Sequence, residues 1–130
     1  MCLSVRKMKV PDIQDMKNSL LGEGTILEID KMYPENTYIW KIDDIFAGFF
    51  HFRIEQNVPS LRHFYISKDF RNINNARGLL NEYKKIVHGM GFNVSLISVN
   101  KPYLEKLVEY KFKKGPYARQ GNVTAYLVEV

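Results

Sequence analysis

Cysteine is nearly absent from this chain: one residue, Cys2, occurs among 130, which excludes an internal disulfide and a cysteine-rich zinc site. The sequence also lacks any apolar run near the ~20 residues of a membrane-spanning helix, and it does not begin with an apolar signal segment. We therefore expect a cytoplasmic protein with no membrane partner. No repeat, low-complexity stretch or Gly/Ser linker interrupts the sequence, so its length predicts a single domain, residues 1–130.

The composition is that of a globular protein with an excess of positive charge. Hydrophobic residues make up 45% of the chain and charged residues 25%, which excludes an intrinsically disordered protein. The 19 lysines and arginines outnumber the 14 acidic residues and give a formal net charge of +5. This excess suits nucleic acid, an anionic surface or a phosphorylated small molecule, and it also serves solubility alone.

Hydrophobic periodicity predicts strands and helices that alternate along most of the chain. Strands are predicted at residues 2–8, 38–41, 45–55, 61–67, 94–99, 116–118 and 122–130, and helices at residues 11–21, 75–88 and 101–110. Turns are predicted at residues 43–44, 57–59 and 120–121, while residues 25–36 are ambiguous. This order indicates a mixed α/β sheet, antiparallel in its first half and locally parallel where a helix crosses over.

The segment 63–80 carries the strongest indication of a ligand site. A predicted strand ends near Ser67, a polar loop follows, and a helix begins near Asn74. The first N–H groups of a helix have no partner within it and lie at its positive end, so they form a natural site for a phosphate or pyrophosphate. Arg71 adds a formal charge at the entrance of the loop. The alternative is an ordinary strand-to-helix connection capped by Asn74 or Asn75.

This segment resembles the coenzyme-binding segment of the GNAT superfamily of acyl-CoA-dependent N-acetyltransferases. The pyrophosphate loop of that family reads Arg/Gln-x-x-Gly-x-Gly/Ala, and in the same register this chain has Arg71, Asn72, Ile73, Asn74, Asn75 and Ala76. The family's paired leucines and helix-ending glycine match Leu79, Leu80 and Gly91. A later family pattern, Asn-x-x-Ala-x-x-Phe-Tyr-x-x-x-Gly-Phe, aligns with Asn100, Tyr103, Lys106, Leu107, Lys111 and Phe112. His63 stands where a phage and bacterial branch carries a histidine, which favours a phage-like member.

The resemblance implies a GNAT-like mixed sheet, splayed between its fourth and fifth strands and flanked by helices. It also implies transfer of an acetyl group from acetyl-CoA, a co-substrate, to an amine by direct attack and without a metal. By the same resemblance, backbone groups of Phe64 and Ile66 bind the acetyl carbonyl and the pantetheine arm. The loop 71–76 then holds the pyrophosphate, and Asn100 contacts the pantetheine or a bound water.

A neutral amine is the nucleophile in such a reaction, so a nearby group must accept its proton. His63 titrates in the appropriate pH range, and Glu55 on the preceding strand is the carboxylate alternative. His63 could equally be a half-buried, hydrogen-bonded residue of the sheet. Tyr103 and Tyr110, two helical turns apart, could act as general acid, although tyrosines at this spacing also serve as packing residues.

The other two histidines indicate structural roles. His51 lies in an aromatic strand and is interpreted as a residue of the sheet face. His88 lies near a predicted helix end, where contact with the helix dipole explains it. No pair of histidines has a carboxylate at the spacing of metal ligands, so no metal site is expected.

Two positions depart from the family pattern and leave a second function open. Asn74 replaces the first loop glycine, which lets phosphate approach the backbone and permits a positive φ. Leu107 lies where the family's tyrosine protonates the departing thiolate, which leucine cannot do. The alternative is therefore a catalytically degenerate GNAT-fold protein with a binding or structural role, phage-encoded and virion-associated or host-directed.

Further partners are considered from other segments. Residues 110–119 interleave basic and aromatic side chains that could bind nucleic acid, but a helix end followed by an exposed turn is the preferred interpretation. The C-terminal strand, residues 122–130, is expected at a sheet edge, where it could pair with a second copy to form a homodimer. The acceptor pocket is expected at residues 22–36 and 115–122, and no motif identifies the amine.

Overall fold

The computed structural model of the chain describes residues 3–20, 34–99, 114–121 and 123–130. Within these residues the strands are β1 (Leu3–Lys7), β2 (Thr37–Ile42), β3 (Ile45–Glu55), β4 (Val58–Ile66), β5 (Val94–Val99), β6 (Lys114–Gln120) and β7 (Val123–Glu129). The α-helices are α1 (Asp12–Leu20) and α2 (Ile73–Gly89), and short 3₁₀ turns cover Pro34–Asn36 and Lys68–Phe70. Neither α1 nor α2 is long and apolar enough to cross a membrane.

The strands form one mixed sheet in the order β1-β2-β3-β4-β5-β7-β6. The pairs β1–β2, β2–β3, β5–β7 and β6–β7 are antiparallel, whereas β4 and β5 are parallel. The connection between the parallel strands runs through α2, as such a crossover requires. The register of the parallel pair places Ser60 opposite Leu96 and Leu61 opposite Ile97, and β4 continues beyond Leu61 to Ile66. The predicted mixed α/β sheet is confirmed.

The chain forms two compact units, residues 1–51 with 63–76 and residues 52–62 with 77–130. In the first unit, α1 places its apolar face on the sheet because its apolar residues recur at helical spacing. The buried cluster there consists of Met8, Met16, Leu20, Ile39 and Phe49. In the second unit, the buried face of α2 consists of Leu79, Leu80, Tyr83 and Val87, and the Tyr83 ring lies edge-on to Phe52 at 5.7 Å.

The hairpin turns occupy two-residue loops in left-handed conformation. Asp43 and Asp44 have φ values of 50° and 65°, which places the first turn where it was predicted. The second turn is Gln56-Asn57, with φ values of 52° and 62°, so it begins one residue earlier than the turn predicted over residues 57–59, and Val58 and Pro59 belong to β4. Paired positive φ angles match the right-handed twist of a hairpin. Proline usually interrupts strands, so Pro59 was expected in the turn. In the structure it is buried within β4.

Strand order corrects one expectation about assembly. The C-terminal strand β7 lies between β5 and β6 and pairs with both, so it is not the edge strand that its position in the sequence predicted. Both of its hydrogen-bonding sides are therefore used within the chain, and pairing of β7 with a second copy is excluded. The predicted helix at residues 101–110 and the ambiguous segment up to residue 33 lie outside the described residues.

Candidate active site

Two asparagines stabilise the N-terminus of α2 by hydrogen bonds. Asn72 caps the helix: its Oδ1 accepts the N–H of Asn75 at 2.8 Å, and its carbonyl accepts the N–H of Ala76 at 3.0 Å. The Asn75 side chain donates back to the carbonyl of Phe70 at 2.6 Å, which fastens the helix to the preceding 3₁₀ turn. The predicted cap, Asn74 or Asn75, is therefore wrong, because the helix begins at Ile73, earlier than the apolar periodicity indicated.

The first two N–H groups of α2 are available to a ligand. Among the described residues, the backbone N–H groups of Ile73 and Asn74 donate to no other protein group. Both side chains are exposed, so these donors lie at the protein surface at the positive end of a 17-residue helix. This arrangement is a site for an anion such as phosphate.

Asn74 has the backbone of an ordinary helical residue. The non-glycine residues with positive φ in the described part of the chain are Asp43, Asp44, Gln56 and Asn57. Asn74 is not among them, so this position does not demand the left-handed conformation that the glycine of the GNAT pattern permits. An asparagine at this position therefore presents a small, exposed polar side chain without straining the loop.

Arg71 is held against the end of β4. Its Nε and Nη2 donate to the carbonyl of Ile66 at 3.2 and 2.9 Å, and its guanidinium carbon lies 5.8 Å from the centre of the Tyr65 ring. The Tyr65 hydroxyl in turn donates to the carbonyl of Ser19 at 2.7 Å, near the end of α1. Arg71 thus places a permanent positive charge two residues before the open N–H groups of α2. The same contact occupies the carbonyl oxygen of Ile66, a residue whose backbone groups are expected to bind the acyl donor.

His63 is half-buried and belongs to a row of polar side chains on β2, β3 and β4. Its ring stacks on that of His51, with centroids 5.8 Å apart and planes inclined by 26°. His51 is itself buried, and its Nδ1 lies 2.8 Å from Oγ1 of the buried Thr37. The structure thus confirms His51 as a residue of the sheet and adds a hydrogen-bonded partner that the sequence did not reveal.

The other predicted site residues have different surroundings. Glu55 is exposed in the second unit and forms an ion pair with Arg62 across the β3–β4 hairpin. Phe64 is half-buried in β4, next to His63. Asn100, Tyr103 and Tyr110 lie outside the described residues, as does Leu107. In the part of the chain that the structure describes, no group of three His, Cys, Asp or Glu residues could hold a metal ion.

Comparison with known proteins identifies the fold. No protein-family model and no curated protein sequence matches the chain. The ribosomal-protein-S18-alanine N-acetyltransferase of Escherichia coli superposes with a TM-score of 0.78 at 12% identity, covering 99% of this chain and 93% of that one. The PaiA N-acetyltransferase of Thermoplasma acidophilum, solved with coenzyme A, gives a TM-score of 0.71 at 17% identity and covers 100% of both chains.

A longer enzyme contains the same fold. The N-acetylglutamate synthase of Neisseria gonorrhoeae, solved with coenzyme A and N-acetyl-glutamate, gives a TM-score of 0.72 at 14% identity. The match covers 99% of this chain and 35% of that one. These similarities and the mixed sheet with its parallel β4–β5 pair show that the chain has the GNAT acetyltransferase fold.

Proposed function

We propose that this protein is an acyl-CoA-dependent N-acetyltransferase that transfers the acetyl group of acetyl-CoA to an amine. The observation that carries the proposal is the N-terminus of α2, where the open N–H groups of Ile73 and Asn74 lie beside the charge of Arg71. The register that the resemblance gave, residues 71–76, falls on this anion site. The solved structures of two proteins with this fold, named above, contain coenzyme A, which supports the same class of donor here.

The residues present fit a pyrophosphate. Two backbone donors at a helix N-terminus and one guanidinium supply both the direction and the charge that such an anion requires. Asn74 leaves the helical backbone unstrained, so its side chain is the only obstacle that the departure from glycine introduces. In this proposal Asn72, Asn75 and Ala76 shape the loop, because their mutual hydrogen bonds hold the first turn of α2.

The chemistry requires a proton acceptor near β4. The bound donor supplies a thioester carbonyl, a C–N bond forms to the amine as the C–S bond breaks, and one amine proton must leave. His63 accepts that proton in our proposal because it is half-buried and stands on the strand where backbone groups of Phe64 and Ile66 would contact the donor. Glu55 is the alternative acceptor, and its ion pair with Arg62 makes it the less favoured one.

Three residues complete the proposal from the family pattern alone. Asn100 would contact the pantetheine arm or a water, and Tyr103 or Tyr110 would protonate the thiolate in place of Leu107. The relation to a phage and bacterial branch stays a prediction of the same kind, and the cytoplasmic location stays a prediction from the cysteine content and the lack of long apolar runs. A protein that binds coenzyme A without turnover would instead have the degenerate binding role.

Isothermal titration calorimetry with acetyl-CoA tests the donor site. We expect a dissociation constant in the micromolar range, and an absence of binding at ~1 mM acetyl-CoA would contradict the proposal. Arg71→Glu should weaken binding by about tenfold or more, because it reverses the charge beside the open N–H groups. Lys85→Glu is the matched control: it makes the same charge change on the exposed last turns of α2 and should leave the affinity within about twofold.

Turnover is tested separately by the release of coenzyme A thiol. Glutamate and a peptide with an N-terminal alanine are suitable first amines, because two proteins with this fold are named for N-acetylation of alanine and for synthesis of N-acetylglutamate. Release of thiol that depends on the amine supports the enzyme. Micromolar acetyl-CoA binding without thiol release from a broad panel of amines would support the degenerate binding protein.

A further inference from the structure

Three side chains cross neighbouring strands as one continuous row, which we call the histidine row: Thr37 on β2, His51 on β3 and His63 on β4. Thr37 and His51 are cross-strand partners in the β2–β3 ladder. Burial decreases along the row, since Thr37 and His51 are 0% and 2% exposed while His63 is half-buried. The row therefore connects the interior of the first unit to the proposed proton acceptor.

Each contact in the histidine row restricts one ring. The hydrogen bond between Thr37 Oγ1 and His51 Nδ1, 2.8 Å long, determines the orientation of the His51 ring about its Cβ–Cγ bond. The His51 ring covers one face of the His63 ring at a centroid distance of 5.8 Å. Thr37 and His63 lie on strands that are not neighbours, and the His51 ring, which contacts both side chains, links them.

Packing alone does not account for a histidine at this position. Phe49, Phe50 and Phe52 surround His51 on β3, and all three are fully buried. A phenylalanine at position 51 would fill a similar volume without a polar group to desolvate, whereas a buried imidazole needs a hydrogen bond to offset that penalty. The pairing of a buried histidine with a buried threonine hydroxyl favours a function over stability as the reason for the row.

We propose that Thr37 and His51 are positioning residues for His63. The Thr37 hydroxyl fixes the His51 ring, and that ring holds the His63 imidazole in the plane from which it takes the proton of the amine. A general base acts efficiently only when its nitrogen points at the proton it accepts, and a third group that orients the base is a recurring arrangement. The inference rests on the proposed function, because it assigns the row to the proton acceptor of acetyl transfer.

Side-chain NMR tests the orientation without acetyl-CoA or an amine. In ¹⁵N-labelled full-length protein, Thr37→Val should shift or broaden the ring resonances of His51 and His63, whereas Thr37→Ser, which retains the hydroxyl, should restore them. His88 is an internal control, because its ring contacts the backbone oxygen of Val130 rather than a residue of the histidine row. Unchanged His63 ring resonances in Thr37→Val would overturn the proposal.

Kinetics test the consequence of that orientation with whichever probe amine the wild-type protein acetylates. Thr37→Val should lower kcat about tenfold and leave the KM for acetyl-CoA unchanged, with Thr37→Ser restoring most of the loss. Equal loss in both variants, or a parallel change of kcat and KM, would indicate a merely structural threonine and contradict the proposal. If the wild type acetylates no amine, the proposed function fails, and the NMR result still decides whether Thr37 orients His63.

Discussion

Asp12 satisfies two groups at the start of α1. Its carboxylate forms a two-pronged ion pair with Arg6, with both N–O distances at 2.7 Å, and it accepts the backbone N–H of Lys9 at 2.7 Å. The hydrogen bonds from Arg6, above all, hold the pKa of Asp12 below its ordinary value, although burial opposes them. The sequence predicted Asp12 in the first helical turn, but it did not predict Arg6 as its partner, since that contact joins two different elements.

The lowered pKa of Asp12 predicts a pH-dependent contribution to stability. The contribution is fully present above the ordinary value of 3.8 and is lost as the pH falls through the lower pKa of the folded state. Asp12→Asn should therefore lower the free energy of unfolding at pH 7 by about 1–3 kcal/mol, and by less near pH 3. Urea unfolding at both pH values measures this, with the exposed Asp15→Asn as control; an equal loss at both values would contradict the explanation.

At the scale of elements, β3 and β4 approach each other closely at Gly48. A Cβ atom at this position would collide with the backbone oxygen of Tyr65, and backbone cannot move aside as the end of a side chain can. The N–H of Ser67 donates to the carbonyl of Ala47 at 2.7 Å, so the strands are fastened beside the glycine. This approach also sets the position of Tyr65, which contacts Arg71.

Gly48→Ala should consequently destabilise the protein by about 1–3 kcal/mol, as overpacking in a well-packed interior does. Gly78→Ala is the matched control, because an added Cβ at Gly78 meets no atom within 4 Å on the exposed side of α2. That control should stabilise the protein by about 0.5–1 kcal/mol, since alanine favours the helix. If the urea midpoints of both variants shifted in the same direction, the close approach at Gly48 would not be what limits the residue at this position.

Local sequence patterns predicted most helices and strands, whereas the strand register and strand order depend on contacts between residues distant in sequence. The Asp43-Asp44 turn was predicted, yet a regular hairpin from that turn would pair Thr37 with Phe50. The observed ladder pairs Lys41 with Phe46 and Trp40 with Gly48, so Ala47 is an extra residue on β3 and the pairing beyond it is displaced by one. The hydrogen bond of Thr37 to His51 depends on this bulge. The position of β7 between β5 and β6 likewise depends on contacts distant in sequence.

At the scale of the whole molecule, the net charge of +5 does not distinguish among nucleic acid, an anionic surface and a phosphorylated small molecule as partners. The anion site that we propose in the first unit favours a small anionic partner over a polyanion, because it relies on directed backbone donors as well as on Arg71. Such a site suits a compact anion with defined geometry. The affinity for a polyanion that is bound only by dispersed lysines and arginines would fall more steeply as the salt concentration rises.

Salt dependence therefore separates acetyl-CoA from nucleic acid. We expect any affinity for generic duplex DNA to be lost by ~0.2 M salt, whereas acetyl-CoA binding should weaken by less than about tenfold over the same range. Fluorescence anisotropy with labelled DNA and calorimetry with acetyl-CoA, each at low and high salt, measure the two responses. If DNA still bound at high salt, that result would contradict this expectation and support nucleic-acid binding by residues 110–119.

The extra residue at Ala47 also affects how this chain can be compared with others. The bulge reverses the alternation of side chains along β3, so that Phe46 and Phe49, three positions apart, pack on the same cluster. A protein whose corresponding strand is regular would reach the same cross-strand partners with one residue fewer. An alignment without a gap at Ala47 would then match side chains on one face of the sheet to side chains on the other face on one side of the bulge, and a superposition of backbones recovers the correct equivalence.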